Sequence, residues 1–314
     1  MNQNEIIVPA EYISSLHING LRGRVLRIPA KSADSKKIHL LLLYGHHSSI
    51  ERMYSLATHL SNYGNVNMPD LPGFGGMDSL YIIGKKPDLD TMADYLATYI
   101  KLTYKRKPVA VCGMSYGFLV VTKMLQKYPE LTSQVTMLVS LVGFSHFHDF
   151  SFRSSTYRSL RMLSYVFKHY FPALFAKHVL LTKPFITLAY TLSARSHVKM
   201  KDAAQDERRR RIRFETYLWQ CNDARTYFYT LNDFLNVDLT HTAIPLPLSH
   251  VAVNDDQYFV TKRVTAHLRM IYKSVKTYTA QLPNHAPTVI SDESAASMMI
   301  PPALERRLKT LKGK

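Results

Sequence analysis

Apolar and polar residues change their spacing several times along this chain, and each change predicts an element. Residues 13–18 are apolar-rich and run into Asn19-Gly20, a pair suited to a tight hairpin turn, after which Val25, Leu26 and Ile28 resume the run. An antiparallel hairpin over 12–28 is expected at the edge of a sheet. Residues 38–44 are continuously apolar, as in a strand covered on both faces. Residues 50–62 read as helix and lead to a short strand around Val66. Met92, Leu96, Tyr99, Ile100 and Thr103 stand at helical spacing within 91–104. A valine-rich strand at 109–112 then passes through a sharp turn into a helix over 116–126, and another buried strand follows at 135–142. Further on, 243–253 reads as strand, 260–274 as helix, 275–282 as a last alternating strand and 292–299 as a final helix. Alternation of strands and helices predicts an α/β fold with a mostly parallel central sheet flanked by helices.

Between 144 and 242 this alternation stops. The stretch is helical by pattern and rich in aromatic and basic residues, with Pro172 and Pro184 placed to break or start helices. We read it as a helical cap inserted after the sixth core strand. The chain then divides into core at 1–143, cap at 144–242, core at 243–300 and a basic tail at 301–314. In the tail, Leu304, Leu308 and Leu311 among lysines and arginines suggest a short amphipathic segment, either in contact with a membrane surface or partner, or solvated.

Composition narrows the function classes. A chain of 314 residues with 46% hydrophobic content can bury a large core. The 40 Lys and Arg against 23 Asp and Glu give a formal charge of +17, which invites a nucleic-acid or anionic-lipid reading. No zinc-ligand spacing, RNP-type aromatic motif or Walker glycine loop accompanies that charge, so no nucleic-acid partner is expected. The dense run at 208–211 with Arg213 fits a solvated helix face. Cys112 and Cys221 are too few for a disulfide framework and read as free thiols. No signal peptide or membrane-length apolar run is seen, so a cytoplasmic protein is expected.

The candidate chemistry lies at the sharp turn. Gly113-Met114-Ser115-Tyr116-Gly117 is a G-x-S-x-G pentapeptide between strand and helix. Glycines two residues to either side let the two elements pack closely, and the serine hydroxyl is held out at the tip. The backbone N–H of Tyr116, at the helix N-terminus, points where charge would develop on an attacked carbonyl oxygen.

Three local motifs in this order resemble the α/β-hydrolase family, in its cap-bearing group of esterases, lipases, C–C hydrolases and epoxide hydrolases. They are the strand end LLLYGHHSS, the loop DLPGFGG and the turn GMSYG. Tyr44 departs from the family pattern, standing where a histidine commonly precedes Gly45. The resemblance implies an acid and then a histidine downstream of the serine. Asp256, just past the 243–253 strand, fits the acid better than its neighbour Asp255, and His285 occupies the loop of the base. Alternatively, the two aspartates serve as an N-cap of the following helix. Of the 14 histidines, His250 falls within a strand and His267 within a helix. The implied catalytic set is therefore Ser115, Asp256 and His285, with an oxyanion hole from the N–H groups of Tyr116 and His46. Gly45 and His47 would border the substrate. No metal or other cofactor is needed. A serine at the elbow argues against epoxide and haloalkane hydrolysis, which use a carboxylate there. Ester, thioester, lactone or amide hydrolysis remains, with C–C hydrolysis also open, and an apolar or amphiphilic acyl substrate suits the cap. The rival readings are a hydrolase-fold protein without activity that binds a ligand or partner through its cap, and a basic surface for nucleic acid or anionic lipid.

Overall fold

A computed structural model describes residues 8–192, 205–254, 256–281 and 293–311. Strands β1 (Ile13–Ile18) and β2 (Leu21–Ile28) form the expected hairpin. Asn19 and Gly20 both take positive φ, 51° and 81°, as a two-residue turn that follows strand twist requires. The chain then adds β3 (His39–Leu43), α1 (Ile50–Leu60), β4 (Asn65–Pro69), α2 (Leu89–Tyr104), β5 (Val109–Met114), α3 (Tyr116–Lys127) and β6 (Val135–Leu141). With β7 (Ile244–Val253) and β8 (Tyr272–Ala280) from later in the chain, these strands build a sheet in the order β1-β2-β4-β3-β5-β6-β7-β8. β2 pairs antiparallel with β1 and β4, and every other pairing is parallel. All of β5 is buried, which is why its sequence shows no polar alternation.

After β6 the chain leaves the sheet for α4 (Ser154–Phe167), α5 (Tyr170–Phe175), a π-helical turn at Ala176–Leu180, α6 (Lys183–Leu192), α7 (Gln205–Cys221) and α8 (Ala224–Phe234). α8 starts at Asp223, whose side chain accepts from the Thr226 amide at 2.7 Å. The neck of this insert is zipped by backbone bonds, Phe147 N–H to Val237 C=O at 2.8 Å and Leu239 N–H to Ser145 C=O at 3.1 Å. β7 (Ile244–Val253), α9 (Thr261–Ile271), β8 (Tyr272–Ala280), α10 (Glu293–Met298) and α11 (Pro302–Leu308) complete the chain.

Two elements differ from the sequence reading. The helix expected through 274 stops at Ile271, and β8 begins at once, three residues before the expected strand. Tyr272 is pulled into the sheet by burial of its ring and by a 2.7 Å hydrogen bond between its hydroxyl and Thr122 Oγ1. The tail is neither solvated nor a surface-binding stripe: Leu304 and Leu308, one turn apart on α11, are 0% and 3% exposed. They meet Leu40, Leu60, Ala110 and Val139, so the tail's apolar face seals the core.

Candidate active site

Register places the expected site at one edge of the sheet. Met114 lies opposite Leu141, Leu141 opposite Val251, and Val251 opposite Tyr278, so β5 to β8 share one row. Ser115 follows that row directly on β5, and Asp256 follows it beyond β7. Gly45 lies two residues past Leu43, which faces Gly113. The candidate residues thus gather beyond the carboxyl ends of the parallel strands, where open α/β sheets form their crevice. His285 and Asp255 lie outside the described residues.

Ser115 has φ 46° and ψ −116°, a backbone state that a side chain other than glycine's adopts only under constraint. Backbone bonds hold it there. Its N–H donates to Leu141 C=O at 2.9 Å, and its C=O accepts from Phe118 N–H at 3.0 Å. The flanking glycines are enforced by packing: a Cβ on Gly113 would stand 2.7 Å from Phe118 Cα, and one on Gly117 2.4 Å from Tyr44 O. The Tyr116 N–H opens α3 and so has no acceptor within that helix.

The segment 44–47 is fixed by three side chains that reach in different directions. Tyr44, fully buried, donates its hydroxyl proton to Asp70 Oδ1 at 3.0 Å and accepts from Leu71 N–H at 2.8 Å. Asp70 in turn meets Arg24 Nε at 3.0 Å, and Arg24 Nη1 meets Glu51 Oε1 at 2.7 Å. Burial pushes the Asp70 carboxyl up, to about 7, against the pull of Arg24. The tyrosine in place of a histidine therefore ties the loop after β3 to the loop after β4. A Cβ on Gly75 would come within 2.0 Å of Asp70 Oδ1, so the glycine there gives the carboxylate its room.

His46 turns its ring into the insert. Nε2 lies 2.8 Å from Thr230 Oγ1 and 3.3 Å from Tyr227 O, and the ring packs against Phe74, Tyr116, Tyr227 and Phe234. Burial pushes its pKa down to about 3, which keeps the imidazole neutral. His47 sits at φ 52° with its ring 4.1 Å from that of Trp219; Nδ1 is 3.2 Å from Asn222 Nδ2 and Nε2 is 3.5 Å from Glu215 Oε2. Glu215, 2% exposed, also pairs with Arg52 at 3.0 Å. Gly45 lies nearest the serine: a Cβ added there would be 3.3 Å from Ser115 Cβ.

Asp256 Oδ1 accepts from the amides of Tyr258 and Phe259 at 2.8 and 3.2 Å. It closes its own turn rather than capping α9, whose N-cap is Val260. His250 is buried in β7, with Nδ1 3.0 Å from Ser140 Oγ and its pKa lowered by burial to about 4. A second carboxylate-histidine pair escaped the sequence reading: Asp149, fully buried, accepts from His267 at 2.6 Å and from the amides of Ser145 and His146 at 3.0 Å. It clamps the neck of the insert to α9. The clustered His146, His148 and Asp149 carried the only sequence signal for it.

The strand order and the strained serine turn define the α/β-hydrolase fold. Solved structures of that fold align along nearly the whole chain. The esterase EaEST from Exiguobacterium antarcticum shares 13% identity over 93% of this chain and 97% of its own, with a TM-score of 0.64. The epoxide hydrolase CorEH shares 15% over 95% and 97%, TM-score 0.64. The N-acyl homoserine lactonase AidH shares 14% over 96% and 98%, TM-score 0.61. No protein-family model matches the sequence, and no curated protein does.

Proposed function

We propose that this protein is a serine hydrolase that cleaves an ester-type bond, a carboxylic ester, thioester or lactone, through an acyl-enzyme. The observation that carries the reading is the backbone of Ser115, φ 46° and ψ −116°, held between a buried strand and a helix N-terminus. Such strain, on the order of 1–3 kcal/mol, persists where the surroundings over-determine it, and it presents the hydroxyl at the tip of the turn.

In this reading Ser115 attacks the carbonyl carbon and His285 accepts its proton. Asp256 orients the imidazole and stabilises the imidazolium. The tetrahedral oxyanion is met by the N–H groups of Tyr116 and His46, each worth about 2.7–4 kcal/mol to the transition state. Collapse expels the leaving group, protonated by His285, and water then releases the acid by the same route in reverse. The fold alone leaves the reaction class open, since the neighbours above include an esterase, a lactonase and an epoxide hydrolase. The elbow residue favours acyl transfer, because a serine forms an acyl ester whereas epoxide opening in this family uses a carboxylate. The insert acts as a cap. The aromatic-rich composition of the insert suits an apolar or amphiphilic acyl substrate.

The test is labelling of the purified protein with a fluorophosphonate probe beside Ser115→Ala and His285→Ala, followed by a p-nitrophenyl ester series of increasing chain length. Labelling that vanishes in both folded variants supports the mechanism. A folded wild type that does not label overturns it and leaves a ligand-binding protein of hydrolase fold.

A further inference from the structure

Among the described residues, large apolar side chains are exposed mostly in one region. Eleven of the fifteen that the described residues expose fall between Met162 and Leu188, on α4, α5, the π turn and α6. Soluble proteins rarely gather apolar residues this way without something to cover them. Phe171 is 79% exposed, Tyr165 59%, Phe175 54% and Leu174 42%. The reason lies in the layering of the insert. α4 and α5 spend their inner faces on α8, where the Phe167 and Phe228 rings meet at 5.1 Å and Ser164 Oγ is 3.2 Å from Asn232 Nδ2. α8 in turn covers the core through Thr230 and Phe234. The outer faces of α4 and α5 therefore point away from the sheet.

Charge decides what covers them. From 150 to 201 the sequence holds nine Lys and Arg and no Asp or Glu. Arg158, Arg161, Lys177 and Lys183 are exposed among the apolar side chains. A second copy of the chain would bring like charge against like charge. A nucleic acid would meet the charges across a ridge of phenylalanine and leucine that it cannot use. A bilayer with anionic headgroups satisfies both features at once, since apolar side chains enter the acyl boundary while Lys and Arg stay at headgroup level.

We propose that the outer face of α4 to α6 docks this protein on an anionic lipid surface. The protein lies on the bilayer rather than across it: no helix among the described residues is long and apolar enough to span one. The inference is independent of the chemistry proposed for Ser115, because it rests on the exposed side chains of α4 to α6 alone.

The experiment is co-sedimentation of the full chain with vesicles of phosphatidylcholine alone or phosphatidylcholine with phosphatidylserine, at low and high salt. Binding at least tenfold tighter to the anionic vesicles is expected, falling with salt. Phe171→Glu with Phe175→Glu should weaken it by tenfold or more. Lys177→Gln and Lys183→Gln should each weaken it about fivefold, as loss of one surface charge near a membrane does. All of these positions are exposed, so urea midpoints and turnover of a soluble ester are expected to stay at wild-type values. Equal binding to both vesicle types, or none, overturns the proposal. So does light scattering that shows a dimer dispersed by Phe171→Glu, which would assign the face to a second copy.

Discussion

The departure at Tyr44 makes a quantitative prediction. Tyr44→Phe removes one hydroxyl from a site with no exposure to water, and two partners lose by it. Leu71 N–H, which donates to that oxygen at 2.8 Å, is left buried without it, and Asp70 Oδ1 loses a donor at 3.0 Å. An orphaned buried amide costs about 1–3 kcal/mol, and a hydrogen bond to a carboxylate is worth about 1.5–3. With some relaxation the expected loss is about 2–4 kcal/mol. Tyr95→Phe is the matched control, because the Tyr95 hydroxyl donates only to the Asp70 carbonyl, at 2.9 Å, and its removal orphans no donor. That loss should be about 1 kcal/mol. Urea unfolding of the three proteins measures both differences, provided the denaturant slope stays constant. A Tyr44→Phe loss no larger than that of Tyr95→Phe would refute the view that the tyrosine bolts the two loops together.

Other substitutions probe the elbow, the insert and the buried histidines. Gly117→Ala forces a Cβ to 2.4 Å from one backbone oxygen and 2.9 Å from another, so it should cost about 1–3 kcal/mol or more and abolish probe labelling; Gly76→Ala, whose Cβ meets nothing within 4 Å but whose φ of 86° disfavours a side chain, should cost about 1 kcal/mol and keep labelling. Glu215→Ala leaves Arg52 buried and unpaired, an expected loss of about 3–5 kcal/mol in chemical denaturation, and Arg52→Met with Glu215→Leu should recover most of it. His46 and His250, with pKa values near 3 and 4, bind their protons more weakly folded than unfolded. Their stability is therefore complete above pH 6.5 and is lost as pH falls toward 4 and then 3, roughly 5 and 3 kcal/mol respectively. Stability curves should fall across that window, and His250→Leu with Ser140→Ala should flatten the slope. Thr230→Val removes the 2.8 Å contact to His46 Nε2 and should slow probe labelling by about tenfold or more while shifting the urea midpoint little.

Much of the core was legible because its physics is local. The Asn19-Gly20 turn, the unbroken apolar strands and the glycines at 113 and 117 each write a backbone requirement into residue type. The end of α9 was not legible: Tyr272 is drawn into the sheet by Thr122, 150 positions away, and no window of sequence contains both. The tail misled for a related reason. Leu304 and Leu308 look the same in sequence whether a helix meets a membrane, solvent or its own core, and only the fold places Leu40 and Val139 beneath them. The sharp turn at Ser115 was legible from its pentapeptide, and so was the place of Asp256 beyond β7. The clamp of Asp149 on His267 joins residues 118 positions apart and carries no spacing that a motif could express.

The roles of His46 and His47 show what a motif leaves out. Sequence reasoning assigned the pair to the oxyanion hole and the substrate, on the strength of their place after β3. Their side chains, with that of Tyr44, also hold the loop in place: Tyr44 is tied to the loop after β4, His46 to α8, and His47 to α7 through Trp219, Asn222 and Glu215. The loop that passes nearest the serine at Gly45 is thus the joint between core and insert. Its side chains take their positions from the part of the chain least constrained by pattern, while its backbone faces the part most constrained. If the His46 N–H serves as the proposed oxyanion donor, a change in α7 or α8 that never approaches Ser115 would still reach it, and a misplacement of about 1 Å can cost a hundredfold in rate. Under the proposed mechanism, substrate preference and catalytic competence would therefore be set together in the insert.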